Sequence, residues 1–199
     1  MTEYNWPEFL RGWSQELLAS PAILRTLPAE VRAAGWLGFP GATAAELAAA
    51  EARLGITLPP SYRAFLATSN GWRATGPFIP QVWSTAEIEW FAARNSDWIA
   101  AYLDVGDAEG EPPVPEAQYR VYGPGQVPFR LADLPATLEI SEAGDEAIYL
   151  LNPQVVAPDG EWEAWFFANW KPGADRYRSF WDLLQAQRET FRLLQQRGV

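Results

Sequence analysis

The chain has no cysteine and no histidine among its 199 residues. Without cysteine, disulfides, thiol catalysis and Cys-ligated metals are excluded. Without histidine, the usual general base, the usual catalytic triads and most zinc chemistry are removed as well. No apolar run approaches the length needed to span a bilayer. The opening Met1-Thr2-Glu3-Tyr4-Asn5-Trp6-Pro7 lacks a basic stretch followed by an apolar one, so no signal peptide is expected and the cytoplasm is the expected location. Clusters of Lys and Arg are missing too: 15 basic side chains face 25 acidic ones, for a net charge of −10. A phosphate backbone needs such clusters, so nucleic acid is not an expected partner.

Apolar residues make up 48% of the chain, enough for a sizeable core. Tryptophan occurs eleven times. One core of this size cannot readily bury that many indoles and satisfy each N–H, so some should lie partly at the surface, where Trp is a common interface anchor. The charge is unevenly spread: residues 87–163 carry sixteen acidic side chains against only Arg94, Arg120 and Arg130. Within this stretch Asp97, Asp104, Asp107, Glu109, Glu111 and Glu116 are interspersed with Trp98, Tyr102 and Tyr119. Aromatics among charges of one sign suit a surface that steers a basic protein and then buries a ring. An ordinary solvated loop is the competing reading. The spacing of Asp104, Asp107, Glu109 and Glu111 does not fit a calcium loop, and no metal or cofactor is expected. The pairs Glu87/Glu89 and Glu161/Glu163 supply two carboxylates each, but sequence proximity does not make an acid–base pair. Two residues apart in a strand, Glu161 and Glu163 are expected on a solvated face or sheet end.

Helical periodicity is clear at Leu10, Trp13, Leu17 and Leu18. Pro28 fits the first turn of a short helix that stops at Gly35. Thr43 and Glu46 make a capping box for a helix burying Leu47, Ala50 and Leu54, with Gly55 in the left-handed position after it. A second helix from about Pro60 to Ser69 carries Tyr62, Phe65, Leu66 and Ser69 on one stripe. Asn70-Gly71 ends it, since both residues tolerate positive φ. Ser84 and Glu87 resemble another capping box. Residues 104–128, rich in Gly, Pro and acid, read as a long mobile insertion. Strands are expected at Thr137–Ser141, at Ala147–Leu151 ending at Asn152-Pro153, and at Trp162–Trp170. The last is apolar on both faces and so central in its sheet. Ser179 caps a long C-terminal helix with Phe180, Leu183, Leu184, Gln187, Phe191 and Leu194 on one face.

Glu51, Leu54-Gly55, Leu58-Pro59, Tyr62, Phe65-Leu66 and Asn70-Gly71-Trp72, together with Trp170-Lys171-Pro172-Gly173 and Ser179-Phe180, resemble the signature of the SUKH superfamily. That superfamily contains bacterial toxin-neutralising immunity proteins and yeast cell-wall-synthesis regulators. The resemblance spans about residues 36–197. It divides the chain into an N-terminal helical extension, 1–35, and a SUKH-like domain, 36–199. The stretch after Asp104 has no counterpart in the pattern. The resemblance implies an α+β fold, a twisted and mainly antiparallel sheet flanked by helices. It also implies a non-catalytic immunity protein for a cognate toxin domain, with an intracellular adaptor or regulator as the alternative. A basic, nuclease-like toxin would suit the charge. The matching residues speak to fold: Tyr62 is expected to pack its ring with its hydroxyl paired, and Asn70 to cap a helix end. The partner surface is therefore expected among the non-matching residues Asp97, Trp98, Tyr102, Asp104, Asp107, Glu109, Glu111 and Glu116.

Overall fold

The computed structural model describes residues 4–109, 115–127, 129–171 and 173–197. Three helices come first: α1 (Trp6–Leu18), α2 (Pro21–Thr26) and α3 (Ala29–Ala34). The helix pair read from the capping box follows as α4 (Ala44–Leu54) and α5 (Pro60–Thr68). A small ribbon is made by β1 (Trp72–Arg73) and β2 (Gln81–Val82). The chain then passes through β3 (Glu89–Trp90), α6 (Phe91–Arg94), α7 (Ser96–Glu109), α8 (Glu116–Tyr119), β4 (Gly123–Val127) and the 3-10 turn η1 (Leu131–Ala136). It ends with β5 (Leu138–Glu139), β6 (Ala147–Val156), β7 (Trp162–Ala168), β8 (Ala174–Tyr177) and the long α9 (Phe180–Gln196). Six strands form one antiparallel sheet in the order β3-β5-β6-β7-β8-β4. The fold is α+β, as the sequence predicts.

Strand alternation divides the core. In β6, Ala147, Tyr149 and Leu151 face the larger hydrophobic cluster, while Ile148 and Leu150 face a second one. In β7, Ala164, Phe166 and Ala168 point to the first and Trp165 and Phe167 to the second. Because β7 pairs on both sides, with β6 and β8, every side chain along it is buried. That is why its sequence is nearly all apolar on both faces, with Glu163 the exception. Helices α1, α4, α5 and α9 cover the first face. The second is covered by α6, α7 and η1.

The local signals around α4 and α5 act as read. Thr43 Oγ1 accepts from Glu46 N–H while the Glu46 carboxylate accepts from Thr43 N–H. Gly55 takes φ +71°. Glu51 explains the corner after it: its carboxylate accepts from Leu58 N–H at 3.1 Å and from Arg63 Nε at 3.3 Å, fixing the extended step before Pro59. Tyr62, Phe65 and Leu66 are fully buried, and Phe180 at the start of α9 meets Tyr62 edge-on with ring centroids 4.8 Å apart. The Tyr62 hydroxyl, expected to be paired, has no hydrogen-bond partner among the described residues.

At the end of α5 the expectation holds for one residue of two. Gly71 sits at φ +104°, but Asn70 keeps a negative φ and does not cap its own helix. Its Oδ1 instead accepts from Thr85 N–H at 2.8 Å, tying the helix end to the segment after β2. A Cβ on Gly71 would lie 3.0 Å from the Val82 carbonyl oxygen. Gly71→Ala should therefore lower the melting temperature, and Gly71→Val should lower it further, since a β-branched residue resists positive φ. Wild-type melting temperatures for both variants would show that this turn accepts a Cβ.

Three expectations need correction. The Ser84/Glu87 pair forms its side-chain bonds, but the helical turn closes once, at Ile88 N–H to Ser84 O, and stops. Residues 89 and 90 are claimed by pairing with β5 instead. Strand β6 does not end at Asn152-Pro153. It continues to Val156 through an irregularity in its pairing with β7. The expected mobile insertion begins as helix, since α7 runs to Glu109, and α8 and β4 follow it.

Residues 4–35 share the main core. Trp6, Leu10, Trp13 and Leu17 of α1 are all buried in the larger cluster. Trp6 Nε1 donates to Ser61 O, and Glu16 binds both Arg188 and Arg192 of α9.

Candidate interaction surface

Helix α7 lies across the second face of the sheet. Its inward stripe is Trp98, Ile99, Tyr102 and Leu103. The Trp98 ring packs on Phe91 and Phe167, with centroids at 5.7 and 5.4 Å. Tyr102 packs on Phe167 at 5.1 Å. Both rings are half-buried against their own sheet rather than held out to solvent. Asp97 is exposed at the start of the helix. Position 104, seven residues on, shares its side of the helix, and position 107 lies one turn further along. Glu109 is the last residue of α7, and Glu111 lies outside the described residues. Glu116 is separate from that stripe. It is exposed on α8, where Arg120 at 3.0 Å and Arg130 both pair with it. Positions 97, 104 and 107 thus fall along one side of α7, position 109 does not, and Glu116 sits among arginines.

The carboxylates read as solvated are among the most buried groups in the chain. Glu161 and Glu163 are 0% and 1% exposed. Glu161 lies just before β7, after the Asp159-Gly160 turn, and not within the strand. Its carboxylate accepts from the Tyr4 hydroxyl at 2.7 Å, from Ser61 N–H at 2.7 Å and from Ser61 Oγ at 2.5 Å. Helix α5 begins at Pro60 after Pro59, with no side-chain cap of its own. Glu161 supplies that cap from across the fold, placing negative charge at a helix N-terminus. Burial, and then the Glu161 contact, push the Tyr4 hydroxyl pKa upward. Glu163 points to the other face. It pairs with Arg176 of β8 at 2.5 Å, and accepts from the Tyr119 hydroxyl at 3.0 Å and from Trp165 Nε1. The Arg176 guanidinium stacks 3.8 Å from the Tyr119 ring centroid and also donates to Tyr119 O. The two carboxylates share no partner, so they do not make an acid–base pair.

Glu139 is a third such group. Paired with Leu150, it points to the second face of the sheet, is 4% exposed and stands directly across from Glu89 in the β3–β5 pairing. Burial pushes its carboxyl up to about 7, against the lowering pull of Arg94 and of the Asn95 amide, which donates to it at 2.7 Å; Glu89 adds repulsion. A carboxyl whose folded pKa is raised binds protons more tightly folded than unfolded, so stability should fall as pH rises from about 4.5 to about 7. Glu139→Gln should flatten this dependence and stabilise the protein by about 1–3 kcal/mol at pH 8. Urea unfolding from pH 4.5 to 8 reads it, and an unchanged pH profile for Glu139→Gln would refute the assignment.

Three arginines escaped the sequence reading. Arg120, Arg130 and Arg178 line one cleft of about 200 Å³ beside the outer end of β6. They are scattered over 58 residues of sequence. The only hint is that two of the three cations between residues 87 and 163 are Arg120 and Arg130. Among the described residues, no group of three or more carboxylates is placed to hold a metal ion, and no helix is long and apolar enough to cross a membrane.

The signature residues Glu51, Gly55, Leu58, Pro59, Tyr62, Phe65, Leu66, Asn70, Gly71, Trp72 and Phe180 all do framework work in this geometry. Trp170 is different: it is 49% exposed, with its ring beside Phe78 and Phe166 and its Nε1 donating to Asp145 O at 2.9 Å. No curated protein matches the chain. A family model does, the SMI1 / KNR4 family (SUKH-1), over residues 41–186, from just before α4 into α9. With that match over most of its length, and with the α4–α5 corner, antiparallel sheet and capped C-terminal helix in place, the chain belongs to the SMI1 / KNR4 (SUKH-1) family.

Proposed function

We propose that this chain is an immunity protein, which binds a cognate toxin domain one to one in the cytoplasm and blocks it without catalysis of its own. Family membership is the observation that carries this reading. The surface proposed for the toxin is the outer side of α7, with Asp97 and positions 104 and 107, together with Glu109 at the helix end and the acidic stretch that follows. The excess of acid in residues 87–163 favours a basic toxin, such as a nuclease. Trp98 and Tyr102 brace that helix from beneath, so they set its position on the sheet. Substituting Trp98 would alter stability as well as binding, which makes the aspartates the cleaner probes.

The test is genetic first. A toxin gene beside this one should be toxic when expressed alone and harmless when this chain is co-expressed. A neighbour that is harmless alone, or toxic despite this chain, would overturn the reading and favour an adaptor or regulator. The kinetic test follows. Changing Asp97, Asp104, Asp107 and Glu109 to their amides should leave the fold intact, which an unchanged circular dichroism spectrum checks. Association should slow at low ionic strength, and the difference should shrink as salt screens the attraction beyond about 8 Å. An unchanged association rate at low salt would move the toxin contact off α7.

A further inference from the structure

Of the eleven tryptophans, Trp170 alone is exposed, at 49%, on the segment that follows β7. Its ring is nevertheless fixed. Phe78 and Phe166 flank it, and its Nε1 donates to Asp145 O, a carbonyl of the turn that leads into β6. Asp145 and Glu146 make that turn between Gly144 and Ala147, with φ of +49° and +57°. Asn-Gly is the usual pair in such a turn, and Glu adopts this backbone only at a cost. The segment after β7 holds the turn closed: Asn169 N–H donates to Glu146 O at 3.2 Å, and the Asn169 amide donates to the Glu146 carboxylate. Both acidic side chains are exposed, and among the described residues neither forms an ion pair. Lys171, the chain's single lysine, lies 5.8 Å from the Trp170 ring centroid, and its charge is matched by Asp175 at 2.6 Å.

We infer that Trp170, Asp145 and Glu146 form a docking point for an arginine side chain presented by a partner protein. A guanidinium is planar, so it stacks on the indole while its N–H groups turn to carboxylates carried by the very turn that anchors the ring. The strained backbone is what puts two acidic side chains at that anchor. Because the Asp145 carbonyl already holds the indole, that side chain need not be ordered when the partner arrives. Two uncompensated carboxylates select a cation among the groups that stack on tryptophan. A nucleic acid brings phosphates, which these carboxylates and the net charge of −10 repel. A neutral sugar makes no use of the charge, and a second copy of this chain brings the same −10. The inference is separate from the α7 surface: its test needs no toxin, and either can fail alone.

The test titrates the isotope-labelled full chain with the acetylated and amidated peptide Gly-Arg-Gly-Arg-Gly at low salt, following backbone amide and indole N–H resonances. Shifts should cluster at Asp145, Glu146, Asn169 and the Trp170 indole, and weaken as salt is added. Asp145→Asn combined with Glu146→Gln should weaken binding about fivefold, the scale of an exposed charge pair. Asn accepts the left-handed backbone and Gln keeps an acceptor oxygen for Asn169, so the hairpin is retained in this variant. Trp170→Leu should weaken binding about two- to fivefold, the scale of an exposed cation–π contact. An unchanged circular dichroism spectrum checks each fold, and the double-amide variant decides if Trp170→Leu does not fold. Wild-type affinity in the double-amide variant, or equal binding of Gly-Lys-Gly-Lys-Gly, would each overturn the assignment. So would a response to maltotriose or a decathymidylate strand at lower concentration than to the arginine peptide, or concentration-dependent Trp170 shifts without peptide, which mark a second copy.

Discussion

Arg176→Met is expected to lower the free energy of unfolding by about 3–5 kcal/mol, the range for removing one partner of a buried ion pair. Neither side chain of the Arg176–Glu163 pair has measurable exposure. With arginine gone, Glu163 keeps the Tyr119 hydroxyl and Trp165 Nε1 as its donors among the described residues and loses its counter-charge. Glu163→Gln should be costly for the reciprocal reason, since Arg176 already has an Nε without a partner among the described residues and would then be a buried cation facing a neutral amide. Because both variants break one interaction, the double variant should cost clearly less than the two losses added together. Urea unfolding of the four proteins measures this. A loss under about 1 kcal/mol for Arg176→Met, the range of exposed pairs, would mean that water reaches the pair. The same change should loosen α8, because Arg176 also holds Tyr119 by its ring and its carbonyl. Proteolytic cleavage near residues 116–122 should then accelerate.

Trp13→Ala should cost about 3–5 kcal/mol, as expected for emptying a fully buried aromatic site. Trp13 is 0% exposed and stacks near Trp72, with centroids 6.3 Å apart, while Phe9 meets it edge-on at 5.5 Å. It lies outside the 41–186 family match. If α1 were a dispensable appendage, its loss would not disturb Trp72 or the sheet. Cooperative unfolding at a lower denaturant midpoint, with loss of near-ultraviolet signal in one step, is the expected result. Two separate transitions, the first silent in the sheet, would show that α1 docks as an independent unit.

The elements that were legible have local causes. Thr43 and Glu46 bond to each other across three residues, and Gly55 supplies its own backbone freedom, so α4 is written where it stands. The run through β7 is legible because burial on both faces leaves it nearly all apolar, with Glu163 the exception. Strand β8 is not, since its four residues include Asp175 and Arg176, and a charged pair looks exposed until Glu163 is folded against it. Glu161 fails for the same reason: its partners, Tyr4 and Ser61, are at least 100 residues away. The acidic positions of α7 could be named from composition, but not that 97, 104 and 107 fall along one side of a helix and 109 does not. The Gly and Pro that follow them disguised where the helix ends. The arginine cleft had no signal in spacing at all, because it is assembled from α8, η1 and β8.

The cap on α5 also ties together the order in which the chain gains structure. A helix of 9 residues is too short to persist alone in water. Its N-terminal amide at Ser61 waits for a carboxylate 100 residues further along the chain. That carboxylate is held in place only after β6 and β7 have closed their hairpin around the Asp159-Gly160 turn. The start of the family's signature helix is therefore satisfied only when the C-terminal hairpin is in place. A ribosome that has released only the first hundred or so residues exposes an α5 that cannot yet hold its own start.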